Sequence, residues 1–409
     1  MKLLIIGHNY PEPTTTAAGR RMMQLMQMFD EEGYEITFGT TASKSQYSAD
    51  LEALGIQIVS IELNAPSFDI FISELNPSVV LFDRYVSEEQ FGWRVAEQSP
   101  NALRILDTED LHFLRKARQE AFKNEAEAGE VSLLTETAKR ELASIFRSDL
   151  SIIISEVEMD LLYTRFKLPK ELLYYLPFLE AAISEEEKNT LPKFEERKHF
   201  MTIGNFQHAP NLDAVLYLKK ELWPGIKKQL PHAELHIYGA YAPQQVLELH
   251  NEKEGFLIKG WAKDVDEVMQ QAKICLAPLR FGAGLKGKLI DAMRNGTPSV
   301  TTRIGAEGLH GNLPYAGEVQ DATEEFIKAC VHLYAEEKDW QQAQENGFQI
   351  IATRFQKKAF SEAFKLKLKN LQQNLEGHRE LNFIGRILEH QSMKATKYMS
   401  KWIEEKNKP

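Results

Sequence analysis

The sequence predicts an α/β protein of two doubly wound, Rossmann-like domains facing each other across a cleft, with a helical tail. Three observations predict it. The chain has 409 residues, which exceeds one ordinary core and suits two domains of roughly 150 to 200 residues each. Short continuous apolar runs, of the kind buried on both faces of a parallel sheet, recur in each half with helical patterns between them. A polar, acidic stretch separates the halves.

The opening Lys2 to Ile6 is such a run, closed by Gly7, and reads as a first strand. Similar pieces stand at Glu35–Gly39, Gln57–Ile61, Val79–Asp83, Leu103–Asp107 and Leu150–Ile154, with helical patterns such as Arg20–Phe29 and Phe91–Gln98 between several of them. That alternation implies a parallel sheet with helices on both faces, assigned to residues 1–180. Residues 181–198, with Glu185-Glu186-Glu187 and Pro192, read as a linker. A second alternation follows at His199–Ile203, Glu234–Tyr238, Phe256–Ile258, Ile274–Ala277 and Ser299–Thr301, giving a second domain at residues 199–375. Residues 376–409 form a helical tail that places Ala395, Tyr398, Met399, Trp402 and Ile403 at spacings of three and four. Its apolar face either packs back on the N-terminal domain or, with lysines from Lys394 to Lys408, makes peripheral contact with a membrane surface.

The formal charge of −10 argues against a general nucleic-acid surface. Cys275 and Cys330 are too few for a disulfide framework, and Cys275 lies inside the apolar run Ile274–Ala277, so a reducing, cytoplasmic setting is expected. The early apolar run breaks at Gly7-His8-Asn9 without a cleavage-site pattern, and none of the apolar runs approaches the ~18 residues of a membrane span.

The stretch from Pro278 to Val300 carries the most chemistry. A buried strand ends at Pro278, a loop with Gly282, Gly284 and Gly287 follows, and a helix starts near Lys288. Glycines let the backbone approach a ligand, the helix N-terminus offers unpaired N–H groups, and Lys286 and Lys288 add full charges. Together these read as a diphosphate site; the plainer reading is a flexible loop with solvated lysines. Asp291, about one turn into the helix, either accepts hydrogen bonds from two ribose hydroxyls or simply complements the helix dipole. His112 follows the acidic cluster Asp107, Glu109 and Asp110 at the end of a buried strand, where an imidazole can orient a hydroxyl or contact a transferred sugar; its alternative is a structural histidine. The pairs Asp107/Asp110 and Asp264/Asp266 resemble carboxylate metal ligands, but no metal role is assigned to them.

The blocks Ile203-Gly204 through Pro210-Asn211-Leu212, Ile237-Tyr238-Gly239, Gly260-Trp261, Asp264-Val265, the loop above and Gly305-Ala306-Glu307-Gly308-Leu309 resemble family 4 retaining glycosyltransferases, particularly a bacterial group. The resemblance is ordered over Phe200–Leu309, and Tyr10-Pro11, Gly19, Asp107 through His112 and Leu114-Arg115 extend it more weakly. It implies the GT-B fold, a nucleotide-sugar donor bound mainly by the C-terminal domain, a glycan or other hydroxyl acceptor, no cofactor beyond that donor and no obligatory metal. By position, Lys286 and Lys288 match the family's phosphate-contacting segment and Asp291 falls where a ribose-binding Glu usually stands. Gly284, Gly287 and Gly19 are then expected near the donor phosphates, with Asn205, His208 and Glu307 as donor-loop contacts. Two departures stand out. Ala283 occupies the place of a second family Glu, and the loop Gly204–Asn211 lacks the family's Arg and Lys, for which Arg280 and His208 are the candidate substitutes. The function this implies is hexose transfer with retention of configuration, with His112 as the catalytic residue. A non-catalytic nucleotide-sugar-binding protein and a nucleotide-sugar epimerase of the same fold are the alternatives.

Overall fold

The computed structural model describes residues 1–124 and 132–407. Its N-terminal sheet holds β1 (Lys2–Gly7), β2 (Glu35–Thr40), β3 (Gln57–Ser60), β4 (Val79–Asp83), β5 (Leu103–Asp107), β6 (Leu150–Ile153) and β7 (Leu173–Tyr175), in the order β3-β2-β1-β4-β5-β6-β7. The C-terminal sheet holds β8 (His199–Ile203), β9 (Leu235–Tyr238), β10 (Phe256–Gly260), β11 (Ala272–Ala277), β12 (Ser299–Thr301) and β13 (Gly317–Val319), in the order β10-β9-β8-β11-β12-β13. Every pairing between these strands is parallel. Two doubly wound sheets in one chain are the GT-B architecture.

The continuous apolar runs become the central strands because helices cover both faces. Leu3 and Ile5 of β1 join one apolar cluster while Leu4 and Ile6 join another on the opposite face. The C-terminal sheet divides in the same way, with Ile274 and Leu276 on one side and Cys275 and Ala277 on the other. Strand order reverses between β1 and β4 in one sheet and between β8 and β11 in the other. Such switch points open a crevice beyond the carboxyl ends of the strands, and this places the site.

Several expectations shift. The edge strand β13 has no apolar run to announce it, whereas β7 lies within the apolar run Leu172–Leu176, which the sequence reading did not assign to a strand. The expected linker contains a helical turn, Glu185–Thr190, held by a capping box in which Ser184 and Glu187 bond reciprocally. The boundary expected at 375/376 is corrected to about residue 356. There the chain crosses back through Glu180 N–H to the Phe355 carbonyl at 2.7 Å and Lys357 N–H to the Glu180 carbonyl at 2.8 Å. Phe364, Leu368 and Leu371 of the following helix, Lys357–Gln373, then pack into the N-terminal core beside Leu3 and Ile5.

The tail's inner face lies on the N-terminal domain. Arg94, 1% exposed, meets Ser400, Glu404 and Asp69, and Arg104 meets Glu389. Its outer face leaves Phe383, Ile384, Tyr398, Met399 and Trp402 exposed. Lys408 lies outside the described residues. None of the described helices is long and apolar enough to cross a membrane.

Candidate active site

The loops after β1, β4, β5 and β6 face those after β8 and β11 across a cavity of about 610 Å³, a size suited to a small-molecule ligand. The wall built by the C-terminal domain is the glycine loop and the first turn of the Gly287–Arg294 helix. Gly284 has φ +63°, and a Cβ there would lie 2.8 Å from Asp110 Cβ, so only glycine lets the loop pass this close to the other domain. Its N–H donates to Glu158 Oε1 at 2.9 Å, the same oxygen that accepts the Leu111 N–H at 3.1 Å. One carboxylate thereby ties the loop to the N-terminal domain.

Two amines converge on this wall. Lys286 Nζ donates to the carbonyls of Ala283 and Gly284 at 3.1 and 2.6 Å, and Lys288 Nζ donates to Asn211 Oδ1 at 2.8 Å. Burial pushes both amines below their ordinary value, Lys288 to about 8; for Lys286, Glu307 and Glu158 oppose the shift. Asp291 lines the cavity beside them. Burial raises its carboxyl, and Arg20, from the helix after β1, pairs with its Oδ1.

On the N-terminal side β5 ends in the acidic cluster. Asp107 is buried against Arg21 at 3.2 Å. Asp110 receives Arg115 through two bonds of 2.7 and 3.3 Å and lies 3.4 Å from His112 Nε2. Burial alone would raise Asp110, but Arg115, then His112 and His208, hold it below the usual carboxylate range. The backbone N–H groups of His112 and Phe113, at the start of the His112–Lys123 helix, are accepted by Glu141 at 3.1 and 2.9 Å. Burial pushes Glu141 up to about 8. The His112 ring packs edge-on to Tyr85, and burial pushes both His112 and His208 down to about 4, so both imidazoles are neutral near pH 7. A neutral imidazole can accept or donate a hydrogen bond to a hydroxyl.

The cavity brings together Lys286, Lys288, Gly284, Gly287, Asp291, His112, Asn205 and His208. Three expectations are corrected. Arg280 does not line the cavity: it makes two bonds to Asp213, at 2.9 and 2.6 Å, between the rings of Phe122 and Tyr217. Glu307 is held across the cleft by Arg118, through two 2.8 Å bonds, instead of lining the cavity. Gly19 donates its N–H to the Thr16 cap at 2.9 Å and packs on the Glu12 backbone, where a Cβ would come within 2.5 Å; Thr14 to Ala18 and Arg20 line the cavity instead.

Sequence reasoning missed Arg20, Arg84, Arg115 and Glu158 as site residues. Arg115 had a signal in its spacing of five from Asp110. Arg84 and Glu109 adopt φ of +68° and +62° at the ends of adjacent strands, conformations that non-glycine residues seldom take, and both line the cavity.

The fold therefore defines a two-domain protein of GT-B architecture whose cleft carries, in its C-terminal wall, a glycine loop, two buried lysines and the start of a helix. Residues 197–336, which include that wall, match the family model described as glycosyl transferases group 1. Among solved structures the chain is similar to a sucrose-phosphate synthase from Thermosynechococcus elongatus, at 15% identity and TM-score 0.66, covering 91% of this chain and 99% of that one. It is also similar to Anabaena HepE in complex with UDP and glucose, at 12% identity and TM-score 0.65, covering 91% and 100%. A glycosyltransferase from Rickettsia africae is similar at 11% identity and TM-score 0.64, covering 90% and 99%. Comparison with curated protein sequences found no match.

Proposed function

We propose that this protein transfers a hexose from a nucleoside diphosphate sugar to a hydroxyl acceptor, with retention of configuration and without a catalytic metal. The observation that carries the reading is the pair Lys286 and Lys288 at the N-terminus of the Gly287–Arg294 helix, facing Asp110 and His112 across the cavity. As the sugar–phosphate bond breaks, charge grows on the leaving diphosphate. Buried amines and oriented amides stabilise that charge more than they stabilise the ground state. Asp291 receives the ribose hydroxyls through the oxygen that Arg20 does not use, and His112 holds the sugar or the incoming hydroxyl. Asn205 and His208 form the donor-side wall opposite. The group 1 match over residues 197–336 and the UDP named with the Anabaena structure support this assignment of the donor to the C-terminal domain.

Ala283 favours a second reading, a protein that binds the donor without turnover, because it lacks a carboxylate where one would meet the sugar. It is buried among N-terminal core residues such as Leu111 and Phe113, and Asp110, whose Cβ packs on Gly284, brings a carboxylate to the cavity wall beside the loop. In the transferase reading Asp110 supplies that negative charge from the other domain.

Incubation with UDP-, GDP- and ADP-hexoses, with and without a chelator, tests the assignment. Release of free nucleoside diphosphate that depends on an added acceptor and persists under chelation is expected. Binding without release would install the second reading, an epimeric donor would indicate an epimerase, and activity abolished by the chelator would overturn the metal-free site.

A further inference from the structure

A smaller cavity of about 200 Å³ opens beside the first, and Asn9, Arg84, Glu109, Asn205 and Gln207 are among the residues that line both. It lies at the β1/β4 switch point of the N-terminal sheet, away from the lysines. Asp83, the last residue of β4, lines it and is 6% exposed. Its Oδ2 accepts the His8 N–H at 2.9 Å, which fixes the carboxylate across the switch point. Its Oδ1 is buried and has no hydrogen-bond partner among the described residues; the Arg84 Nε stands 3.7 Å away, beyond bonding distance. A buried acceptor left unbonded is costly, so an oxygen of this kind in a cavity wall is built for a donor that arrives with a ligand.

The rest of the lining says which donor. Asn9, Ser43 and Gln207 offer neutral polar groups, and Tyr241 closes the rim with its hydroxyl on Glu12 at 2.8 Å. Among the described residues the lining sets Asp83 and Glu12 against the one cation Arg84, while burial and Asp107 push the Glu109 carboxyl well up toward its neutral form, so the pocket disfavours an anionic ligand. Arg84 and Glu109, held at φ +68° and +62°, stand where this cavity meets the larger one, and Tyr241, at φ +57°, stands at its rim. Strained backbone at three points around one small pocket is the pattern of a ligand clamp. The volume exceeds by several times the ~30 Å³ of one water.

We infer that this side pocket binds a neutral, polyhydroxylated acceptor, with a hydroxyl of one sugar ring donating to Asp83 Oδ1. The inference rests on the transferase reading for the word acceptor, but the binding site stands on the pocket itself. Asp83 is then a specificity-determining residue on the acceptor side, separate from the diphosphate wall.

The test uses saturation-transfer NMR on the full chain with saturating UDP, probing the methyl glycosides of glucose, galactose and mannose against glucose 6-phosphate. At least one neutral glycoside is expected to bind wild type better than the phosphorylated sugar. Asp83→Ala should weaken it by about 10- to 100-fold, as loss of a hydrogen bond to a charged group does, while Asp83→Asn, which keeps an acceptor oxygen, should weaken it less. Ser43→Trp, placed on an exposed loop, should block the pocket without touching Asp83, and serves if the Asp83 variants fail to fold. Neutral glycosides that bind nowhere, that bind Asp83→Ala and Ser43→Trp as tightly as wild type, or that bind more weakly than glucose 6-phosphate would overturn the inference. Absence of UDP binding with glycoside binding intact would instead overturn the donor assignment.

Discussion

If the proposed donor site is correct, Lys288 gives it a pH dependence whose sign and size follow from burial. Burial pushes its amine down to about 8, and a diphosphate at bonding distance would push it back up. Binding therefore takes up a proton wherever the empty site has already lost one. Affinity for UDP is therefore expected to be full well below pH 8 and to fall as pH rises through that value. With about nine-tenths of the amine charged at pH 7 and about one-tenth at pH 9, affinity falls about 10-fold over the two units, or about 1.4 kcal/mol. Lys286, also pushed down by burial, steepens the fall. Isothermal titration at pH 7, 8 and 9 in two buffers of different ionisation enthalpy reads both the affinity and the proton uptake. Lys288→Arg stays charged throughout and should flatten the profile to what Lys286 contributes. A wild-type profile that is flat from pH 7 to 9 without proton uptake, or an arginine variant with an unchanged slope, would refute the placement of a buried amine at the diphosphate.

Two further outcomes are expected. His112→Ala should lower the turnover number roughly 10- to 100-fold while UDP affinity stays within about twofold, since the imidazole belongs to the opposite wall from Lys286 and Lys288; normal transfer would remove His112 from the chemistry, and a large loss of melting temperature would return it to a structural role. The double variant Met399→Ala/Trp402→Ala, on the exposed face of the tail, should leave stability within about 0.5 kcal/mol. If that face contacts a membrane, flotation with anionic vesicles will fall in the variant; equal flotation, or none for wild type, restricts the tail to its packing role.

The parallel sheets were legible because strands buried on both faces carry unbroken apolar runs, which no other short element needs. Strand β13 was not, since Gly317–Val319 carries no apolar run, and β7 was passed over although Leu172–Leu176 is one, because a short apolar run does not by itself tell strand from helix. The helix Lys357–Gln373 was assigned to the wrong domain for a related reason: periodicity shows that Phe364, Leu368 and Leu371 share a face but not which sheet the face covers. The anion site was readable because its strand end, glycines, lysines and helix start are contiguous. Its other partners are not. Arg20 and Asp291 are separated by 271 residues, Arg118 and Glu307 by 189, and Glu158 and Gly284 by 126, and a charge in a helical segment does not declare its partner in the other domain. Arg280 misled for the same reason, being adjacent in sequence to the loop but paired with Asp213 behind it.

These long-range pairs account for how a cleft so rich in charge keeps its buried charges partnered. An unpaired carboxylate or guanidinium in a buried cavity would cost several kcal/mol. Arg20 neutralises Asp291, Arg118 neutralises Glu307 and also donates to the Gly282 carbonyl at 2.9 Å, and Lys286 turns its protons onto the loop's own carbonyls. Arg20 uses only Oδ1 of Asp291, so the second oxygen stays available to a hydroxyl pair without the ion pair first breaking. Lys286 differs, because its present acceptors are neutral backbone oxygens. A diphosphate oxygen is the stronger acceptor, and exchanging one for the other strengthens the bond while leaving two carbonyls to find other donors. The two domains are thus joined by contacts beside the cavity that a ligand need not disturb, Glu158 on Gly284 and Arg118 on Glu307, while the groups aimed into it are held by contacts that a charged ligand outcompetes.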